Sequence, residues 1–407
     1  MAKTFLLLGL IVFLAYLFRA VFDRTRVPDV LLLMGLGIVL GPVLGWADAD
    51  DFGKAGPVLA TLALIVILLE SGTSLHLTML GRSLHSTLGL TLLSFFGTMA
   101  VVTGVGYWVL NLPMVLALIL GGTLGGTSSA VVIPIVQGLK MGNRSATMLV
   151  MESALTDVLC IVAVYALLDA QRYGQLELLP MSWSVAQSLG VAVVIGLLGG
   201  VCWLLILRTV RRLPVNLFAS IAFAMILYGG VEALQFSGAI AVLAFGIALT
   251  NRTQLGLGRL GKLPALSATD LGFFREWVFL LKVFFFIYLG LALQLANLGW
   301  MLLALGLVLA VYGLRWLIVR HLVARAEPRQ EQATMAIMAP KGLAAAVLAG
   351  VPLQQGVAEG QVMQDFTFVV VFVSILLTAL LLPLVSAQRA RGEAAPSQPP
   401  VTPPSAD

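Results

Sequence analysis

The sequence predicts an all-α integral membrane protein with thirteen transmembrane helices, arranged as two inverted six-helix repeats joined by a linker helix. Of the 407 residues, 60% are hydrophobic and only 11% are charged, whereas a soluble domain carries about 25% charged residues. Apolar runs of roughly 20 residues, each long enough to cross a bilayer, recur along the whole chain. Two of these runs are interrupted by glycine, proline and hydroxyl residues at matching places in the two halves, which is typical of inverted-repeat membrane proteins.

The predicted spans follow one another with short connections. They cover residues 4–22, 28–46, 56–78, 84–110, 112–138, 144–169, 182–209, 214–236, 238–251, 271–296, 298–322, 331–356 and 364–387. The first run lacks a small-residue cleavage site, so it is interpreted as a retained helix and not as a signal peptide. The 41 glycines fit a bundle in which small residues let helices approach closely.

Basic residues concentrate in the connections after odd-numbered spans. They are Arg24, Arg26, Arg82, Lys140, Arg144, Arg208, Arg211, Arg212, Arg252, Arg259, Lys262, Arg320, Arg325, Arg329, Arg389 and Arg391. Connections after even-numbered spans are short or acidic, as at Asp48, Asp50 and Asp51. Because positive loops stay in the cytoplasm, the N-terminus is predicted outside and the C-terminus inside, which requires an odd number of spans. Residues 388–407, rich in Pro, Ser and Ala, are expected to form a disordered cytoplasmic tail.

The two interrupted spans divide the chain into halves. The fifth span contains Gly121–Ser129, and the twelfth contains Pro340-Lys341-Gly342. Each is fifth in its half if spans 1–6 and 8–13 are the repeats and span 7 is the linker. Broken helices inside a membrane must line protein or water, because their freed backbone groups need partners. Paired breaks of this kind point to a substrate site near the membrane midplane.

Asp157 lies in the middle of the sixth span, and it is the strongest functional signal in the chain. A charged residue at the centre of a spanning helix costs about 2.5–3.5 kcal/mol on insertion scales. Burial disfavours the charged carboxylate, so a proton and a cation would compete for it, as an exchanger requires. Neutral oxygens that could complete a monovalent-cation site with Asp157 are the hydroxyls of Thr127, Ser128, Ser129, Ser153 and Thr156.

Glu152 is also inside the sixth span, roughly one and a half turns before Asp157, so it faces a different side of the helix. It is therefore expected to form an ion pair, with Arg315 as the favoured partner and Lys341 and Lys282 as the other cations at depth. Lys341 adjoins the break in the twelfth span, where it would neutralise a half-helix C-terminus or repel cations. Lys282 is near the predicted cytoplasmic end of its span and is expected to snorkel to the interface.

These segments resemble a known family. The run from Glu152 to Asp157 resembles the Glu-Ser-x-x-Asn-Asp signature of monovalent cation:proton antiporters of the sodium/proton exchanger type. Leu69-Glu70-Ser71-Gly72 is similar to the Phe-Glu-Gly-Gly stretch of the same superfamily, with Glu70 expected in a cytoplasmic funnel. Thr127-Ser128-Ser129 and Pro340-Lys341-Gly342 fit the two crossed broken helices of that family.

The resemblance implies exchange of Na⁺, K⁺ or Li⁺ for H⁺ by a homodimer embedded in lipid. Asp157, Thr127 and Ser153 would bind the cation, with Thr156 and Ser128 beside them, and Glu152–Arg315 would be the core ion pair. Transport would be an elevator-like movement of a core against a scaffold. The implied parts are scaffold helices in 1–80 and 214–296, core helices in 84–169 and 298–387, a linker helix in 182–209 and the tail at 388–407.

Two positions differ from the family pattern. Thr156 stands where electroneutral members carry Asn and electrogenic ones carry Asp, so one cation is expected to exchange for one proton. Ser128 stands where some relatives carry Asp, which leaves Na⁺ against K⁺ open.

The main alternative is a gated K⁺ efflux pathway on the same scaffold. A symporter or organic-anion carrier and an intramembrane hydrolase are further alternatives, and the last is disfavoured because Asp157 is the only aspartate placed at depth. No enzyme activity, resident cofactor or nucleic-acid partner is expected. A bacterial inner membrane is the expected location, since the chain is compact and lacks long loops.

Overall fold

The computed structural model describes residues 2–25, 27–46, 55–74, 84–139, 141–172, 178–210, 217–255, 266–293, 297–323 and 327–393. Within these ranges the chain forms helices and short connections, without strands. The helices are α1 Ala2–Thr25, α2 Asp29–Ile38 with a π-helical turn Val39–Val43, α3 Ala55–Ser74, α4 Leu84–Trp108, α5 Met114–Leu124, α6 Ser129–Gly138, α7 Asn143–Arg172, α8 Leu178–Val210, α9 Ala219–Ala233, α10 Gly238–Thr250, α11 Ala268–Ala292, α12 Leu298–Leu322, α13 Arg329–Ile337, α14 Leu343–Gln354 and α15 Gly360–Glu393.

The helices have the lengths and compositions of membrane spans. By these two criteria, the helices in the described ranges that can cross a membrane are Thr87–Trp108, Met114–Gly138, Asn143–Gln171, Gly190–Leu207, Leu298–Leu322 and Gly360–Val385. Shorter apolar helices occupy six of the other seven predicted spans, at Gly9–Phe22, Asp29–Val43, Thr61–Ser74, Ala219–Ala233, Gly238–Thr250 and Leu343–Gln354. The tenth predicted span corresponds to α11, which meets neither description. The fold is therefore an all-helical, multi-pass membrane architecture, while the number of thirteen crossings and the inverted repeat stay predictions.

One predicted boundary needs correction at the C-terminal end. Helix α15 continues through Glu393, so the predicted disordered tail does not begin at residue 388, and residues 394–407 lie outside the described ranges. Several loop charges that predict the orientation also lie outside these ranges, namely Arg26, Arg82, Lys140, Arg211, Arg212, Arg259, Lys262, Arg325, Asp48, Asp50 and Asp51.

The two interrupted spans are broken where the sequence predicts, and their breaks meet. The chain leaves helical geometry between α5 and α6 and again between α13 and α14. The backbone N–H of Ser128 donates to the carbonyl oxygen of Pro340 at 2.7 Å, so one break satisfies a backbone group freed by the other. A Cβ atom on Gly342 would collide with the side chain of Ser128, which explains why a glycine stands at that crossing.

Small residues set the packing of another group of helices. Helix α2 packs on α11, and α3 packs on α10. At the first contact Gly37 lies against the backbone of Gly290, and at the second Gly72 lies against Gly246, where an added Cβ atom would clash with the opposite backbone. Such close backbone contact is typical of membrane helices, because lipid provides no hydrophobic force to drive bulky side chains together.

Candidate functional site

A cavity of about 500 Å³ lies between α1, α2, α3 and α11 on one side and α6, α7 and α14 on the other. Its lining residues are Arg19, Phe22, Asp29, Ile67, Glu70, Ser71, Ser128, Ser129, Ala130, Ile133, Pro134, Gln137, Gly138, Asp157, Arg275, Val278, Phe279, Lys282, Leu343 and Ala344. The cavity includes the C-terminal ends of α3 and α6, which the charge pattern predicts to be cytoplasmic. It therefore connects that side of the bundle with the crossing of the broken helices.

Asp157 forms the deep polar end of this cavity. Its residue is 6% exposed, and one carboxylate oxygen, Oδ2, accepts a hydrogen bond of 2.8 Å from Ser129 Oγ. Ser129 is the first residue of α6, so the bond joins α7 to the second half of the interrupted span. The hydroxyl of Ser128 is buried and has no hydrogen-bond partner among the described residues, although it lines the cavity. Asp157, Ser128 and Ser129 thus all line the cavity at the break.

The other predicted hydroxyl ligands have structural bonds. Thr156 Oγ1 accepts a hydrogen bond from the backbone N–H of Thr127 at 3.1 Å and donates to the carbonyl of Ser153 at 3.1 Å. The hydroxyls of Thr127 and Thr156 lie 3.3 Å apart, and Ser153 Oγ donates to the carbonyl of Val150 at 3.0 Å. Thr127, Ser153 and Thr156 do not line the cavity. In this conformation they hold the break against α7.

Sequence reasoning included Ser129 among the neutral oxygens but left it out of the proposed ligand set. No sequence signal separates Ser129 from Thr127 and Ser128, because the residue at which the helix resumes is known only from the structure. The side chain of a residue at a half-helix start points into the space that the break opens, whereas Ser153 lies within a continuous helix and can bond to its own backbone.

Lys341, in the break between α13 and α14, also connects the two breaks. Its ammonium donates to the carbonyl of Gly126 at 2.8 Å, just beyond the C-terminal end of α5. Its backbone N–H donates to Ser374 Oγ at 2.9 Å. A cation at the C-terminal end of a helix is favourable because the last carbonyls carry a partial negative charge. Of the two roles predicted for Lys341, this geometry matches neutralisation of a half-helix C-terminus, and the half-helix belongs to the other broken span.

Glu152 and Arg315 form a bidentate ion pair in the interior. The two guanidinium-to-carboxylate distances are 2.5 Å and 2.7 Å, and the residues are 0% and 3% exposed. Arg315 Nε also donates to the carbonyl of Met335 at 2.8 Å, and Nη1 donates to Ser94 Oγ at 3.3 Å. This geometry is the strong, planar form of a carboxylate–guanidinium contact. It connects α4, α7, α12 and α13 through one side chain.

Lys282 does not snorkel to the interface, which corrects the sequence-based expectation. It is buried, and its ammonium donates to Asp29 Oδ2 at 2.7 Å, while Asp29 Oδ1 accepts from the backbone N–H of Val30 at 2.9 Å. Both residues line the cavity that contains Asp157. Sequence reasoning did not consider Asp29. Its position at the first residue of an apolar span, where an acid favours the helix N-terminus, was a visible signal.

Glu70 lies in the same cavity, near the end of α3. Its side chain forms a hydrogen bond with Ser74 and interacts electrostatically with the guanidinium of Arg275. Glu70 and Asp157 thus line the same cavity, and the role of Glu70 in a cytoplasmic funnel stays a prediction.

The chain is similar in sequence to known membrane transport proteins over most of its length. The family model described as "Sodium/hydrogen exchanger, transmembrane" matches residues 9–387. The K(+)/H(+) antiporter NhaP2 of Shewanella sp. (strain ANA-3) is 26% identical over 391 residues, which cover 92% of this chain and 65% of that protein. This chain therefore spans slightly less than two thirds of that relative's length.

Two further comparisons involve Methanocaldococcus jannaschii. Its Na(+)/H(+) antiporter 1 is 26% identical over 368 residues, which cover 84% of this chain and 81% of that protein. The solved structure of its sodium proton antiporter MjNhaP1 at pH 8 matches with a TM-score of 0.74 and 23% sequence identity, covering 95% of this chain and 99% of the other. The structural match shows a shared fold.

Proposed function

Because this chain belongs to the sodium/hydrogen exchanger family, we propose that it is a secondary active antiporter that exchanges a monovalent cation for a proton. The observation that carries this proposal is the buried carboxylate of Asp157 at the end of a cavity, beside the meeting point of two broken helices. Relatives named as K(+)/H(+) and Na(+)/H(+) antiporters support cation/proton exchange and leave the ion open.

The proposed mechanism uses Asp157 as the shared binding group for cation and proton. A buried carboxylate is poorly solvated, so its negative charge needs either a proton or a bound cation. An entering cation would displace the proton and bind the carboxylate together with the hydroxyls of Ser128 and Ser129. Unwound backbone carbonyls would complete an oxygen shell. Thr127 and Ser153 would join this shell only after their hydroxyls leave the bonds described above.

The core that carries the ion would move as one body. Arg315 connects four helices, and Lys341 connects the two breaks, so the broken helices have strong internal links. We infer an elevator-like movement of α4–α7 and α12–α15 against a scaffold of α1–α3 and α9–α11. The scaffold would form a homodimer in the inner membrane, with the N-terminus outside and the C-terminus in the cytoplasm.

Replacing Thr156 with Asp is expected to make transport sensitive to membrane potential. The new carboxylate can still accept the hydrogen bond from the Thr127 backbone N–H, but it adds a charge beside Asp157, so cation and proton charges no longer balance in one cycle. Exchange would be measured in proteoliposomes with imposed potassium–valinomycin potentials, using Na⁺ or Li⁺ as the substrate. Thr156→Val, which adds no charge, is the matched control. A rate of Thr156→Asp that does not change with potential would contradict the idea that one added charge here alters the charge balance, and a rate of the parent that does change would contradict one-for-one exchange.

Competition for Asp157 also predicts a pH dependence. As the pH falls, protons occupy the carboxylate more often, so the apparent KM for the cation should rise, by up to about tenfold per pH unit. The measurement is the response of a pH dye trapped in proteoliposomes when Na⁺, K⁺ or Li⁺ is added over a range of pH values.

The same assay separates exchange from conduction. Empty liposomes control for leak, and ²²Na⁺ or ⁸⁶Rb⁺ uptake reports cation flux directly. Cation flux without lumenal pH change would contradict antiport and favour the gated K⁺ pathway. A KM that stays constant with pH would contradict competition for one carboxylate.

A further inference from the structure

A second cavity, of about 460 Å³, lies between the C-terminal part of α12 and the start of α13. Its lining residues are Trp316, Val319, Arg320, Arg329, Gln332 and Ala333. It shares no lining residue with the cavity that contains Asp157. The charge pattern of the loops predicts this end of α12 to be cytoplasmic, so the cavity lies at the predicted inner surface of the membrane.

The cavity is positively charged. Arg320 and Arg329 both line it, and neither forms an ion pair with a described residue. The guanidinium of Arg320 lies 5.2 Å from the ring centroid of Trp316, which holds it beside the opening by a cation–π contact.

The acidic residues near the start of α13 are directed elsewhere. Glu327 contacts Arg144 at 3.4 Å and accepts from Ser145 Oγ at 2.8 Å. Glu331 accepts from the backbone N–H of Gly142 at 3.1 Å. These bonds bring both carboxylates to the N-terminal end of α7, and neither residue lines the cavity. The two arginines are therefore available to an anionic ligand.

An apolar strip leads along α12 to this cavity. It consists of Leu302, Leu305 and Leu309, which are 60%, 39% and 52% exposed, and it ends at Trp316, which is 49% exposed. Residues three or four apart lie on one face of a helix, so this face would be covered by lipid chains in a bilayer. Tryptophan is enriched at the level of the lipid headgroups, which places the cavity at that depth.

We propose that this cavity binds the phosphate headgroup of an anionic phospholipid of the cytoplasmic leaflet. Arginine guanidinium groups form paired hydrogen bonds with phosphate oxygens, and basic pockets between membrane helices bind anionic headgroups. The acyl chains lie along the apolar strip of α12, which a free phosphate would leave uncovered. The bound lipid links α12 to α13 through Arg320 and Arg329. This inference does not depend on the proposed antiport.

The test is lipid binding by the purified full chain in detergent, followed by native mass spectrometry and by thermal unfolding. Phosphatidylglycerol should bind and raise the melting temperature more than phosphatidylcholine does. Glycerol phosphate, which has the anionic group without acyl chains, should have no effect at the same concentration. Each of Arg320→Gln and Arg329→Gln should weaken phosphatidylglycerol binding by about fivefold, and the double variant by about 30-fold.

Arg24→Gln is the matched control, because Arg24 is an exposed arginine at the predicted cytoplasmic end of α1 and does not line the cavity. Its lipid response should equal that of the parent. The proposal would be overturned if the arginine variants bind phosphatidylglycerol as tightly as the parent, or if phosphatidylcholine binds equally well. If glycerol phosphate had an equal effect, the site would be a site for free phosphate, and the proposal that it binds a phospholipid would be wrong. The single variants decide the question if the double variant does not fold.

Discussion

Exchange by an Asp157→Asn variant is expected to fall at least about 100-fold below that of the parent, while the protein stays folded. Asparagine keeps the size of the side chain and an oxygen that can accept the 2.8 Å hydrogen bond from Ser129. It cannot bind and release a proton, and it offers no negative charge to a cation. The packing of α6 on α7 should therefore survive, whereas the competition that couples the two ions should not.

The measurement is cation-dependent pH change in proteoliposomes, with thermal unfolding and size-exclusion chromatography of the same preparations. Asp365→Asn is the matched control. Asp365 is half-buried at the start of α15, accepts a hydrogen bond of 2.8 Å from Gln361, and lies outside the cavity, so its variant should exchange like the parent. If Asp157→Asn still exchanged cations for protons, the central role of this carboxylate would be wrong.

Replacing Arg315 with Ala is expected to destabilise the protein by about 3–5 kcal/mol. The substitution leaves the carboxylate of Glu152 buried and without its bidentate partner. It also removes the donors to the carbonyl of Met335 and to Ser94 Oγ. The loss is large because an uncompensated charge remains in an interior from which water is excluded.

Unfolding in detergent would be followed by intrinsic fluorescence against temperature and denaturant. Arg320→Ala is the control, since Arg320 is an exposed arginine on the same helix, and its variant should stay close to the parent in the absence of added lipid. A second variant, Glu152→Gln with Arg315→Met, removes both charges and should lose less stability than Arg315→Ala. Unchanged stability of Arg315→Ala would show that the pair is not needed to hold the core.

The family resemblance drawn from the motifs is confirmed by the family match over residues 9–387. The sequence was sufficient for this prediction because the features that carry it depend only on residues close together in the chain. Apolar runs long enough to span a bilayer are visible residue by residue. So are the helix-breaking groups at Gly125–Ser128 and Pro340–Gly342. Both features can be identified from the sequence, because hydrophobicity and backbone conformational freedom are properties of each residue and its immediate neighbours.

Contacts between distant residues were harder to predict. The sequence offered Arg315, Lys341 and Lys282 as partners of Glu152, and Arg315 was favoured from its depth alone. The structure joins Glu152 to Arg315 across 163 positions and Lys282 to Asp29 across 253 positions. The charges at depth are therefore set by sequence, whereas their pairing depends on how the helices pack.

Which hydroxyl meets Asp157 was decided by tertiary structure alone. The sequence placed Thr127, Ser128, Ser129, Ser153 and Thr156 near the carboxylate without ranking them by orientation. Helices that are apolar on all sides show little periodic pattern, so the sequence carries little information about their rotation. Rotation is set by close backbone contacts and by the meeting of the two breaks. These bring Ser129 to Asp157 and leave the buried hydroxyl of Ser128, a lining residue of the cavity, without a hydrogen-bond partner among the described residues. The sequence by itself thus determined the apolar, membrane-spanning character of the chain, the two helix breaks and the buried charges of Asp157, Glu152 and Arg315. The tertiary structure decided their partners, because rotation and register depend on contacts between residues far apart in the chain.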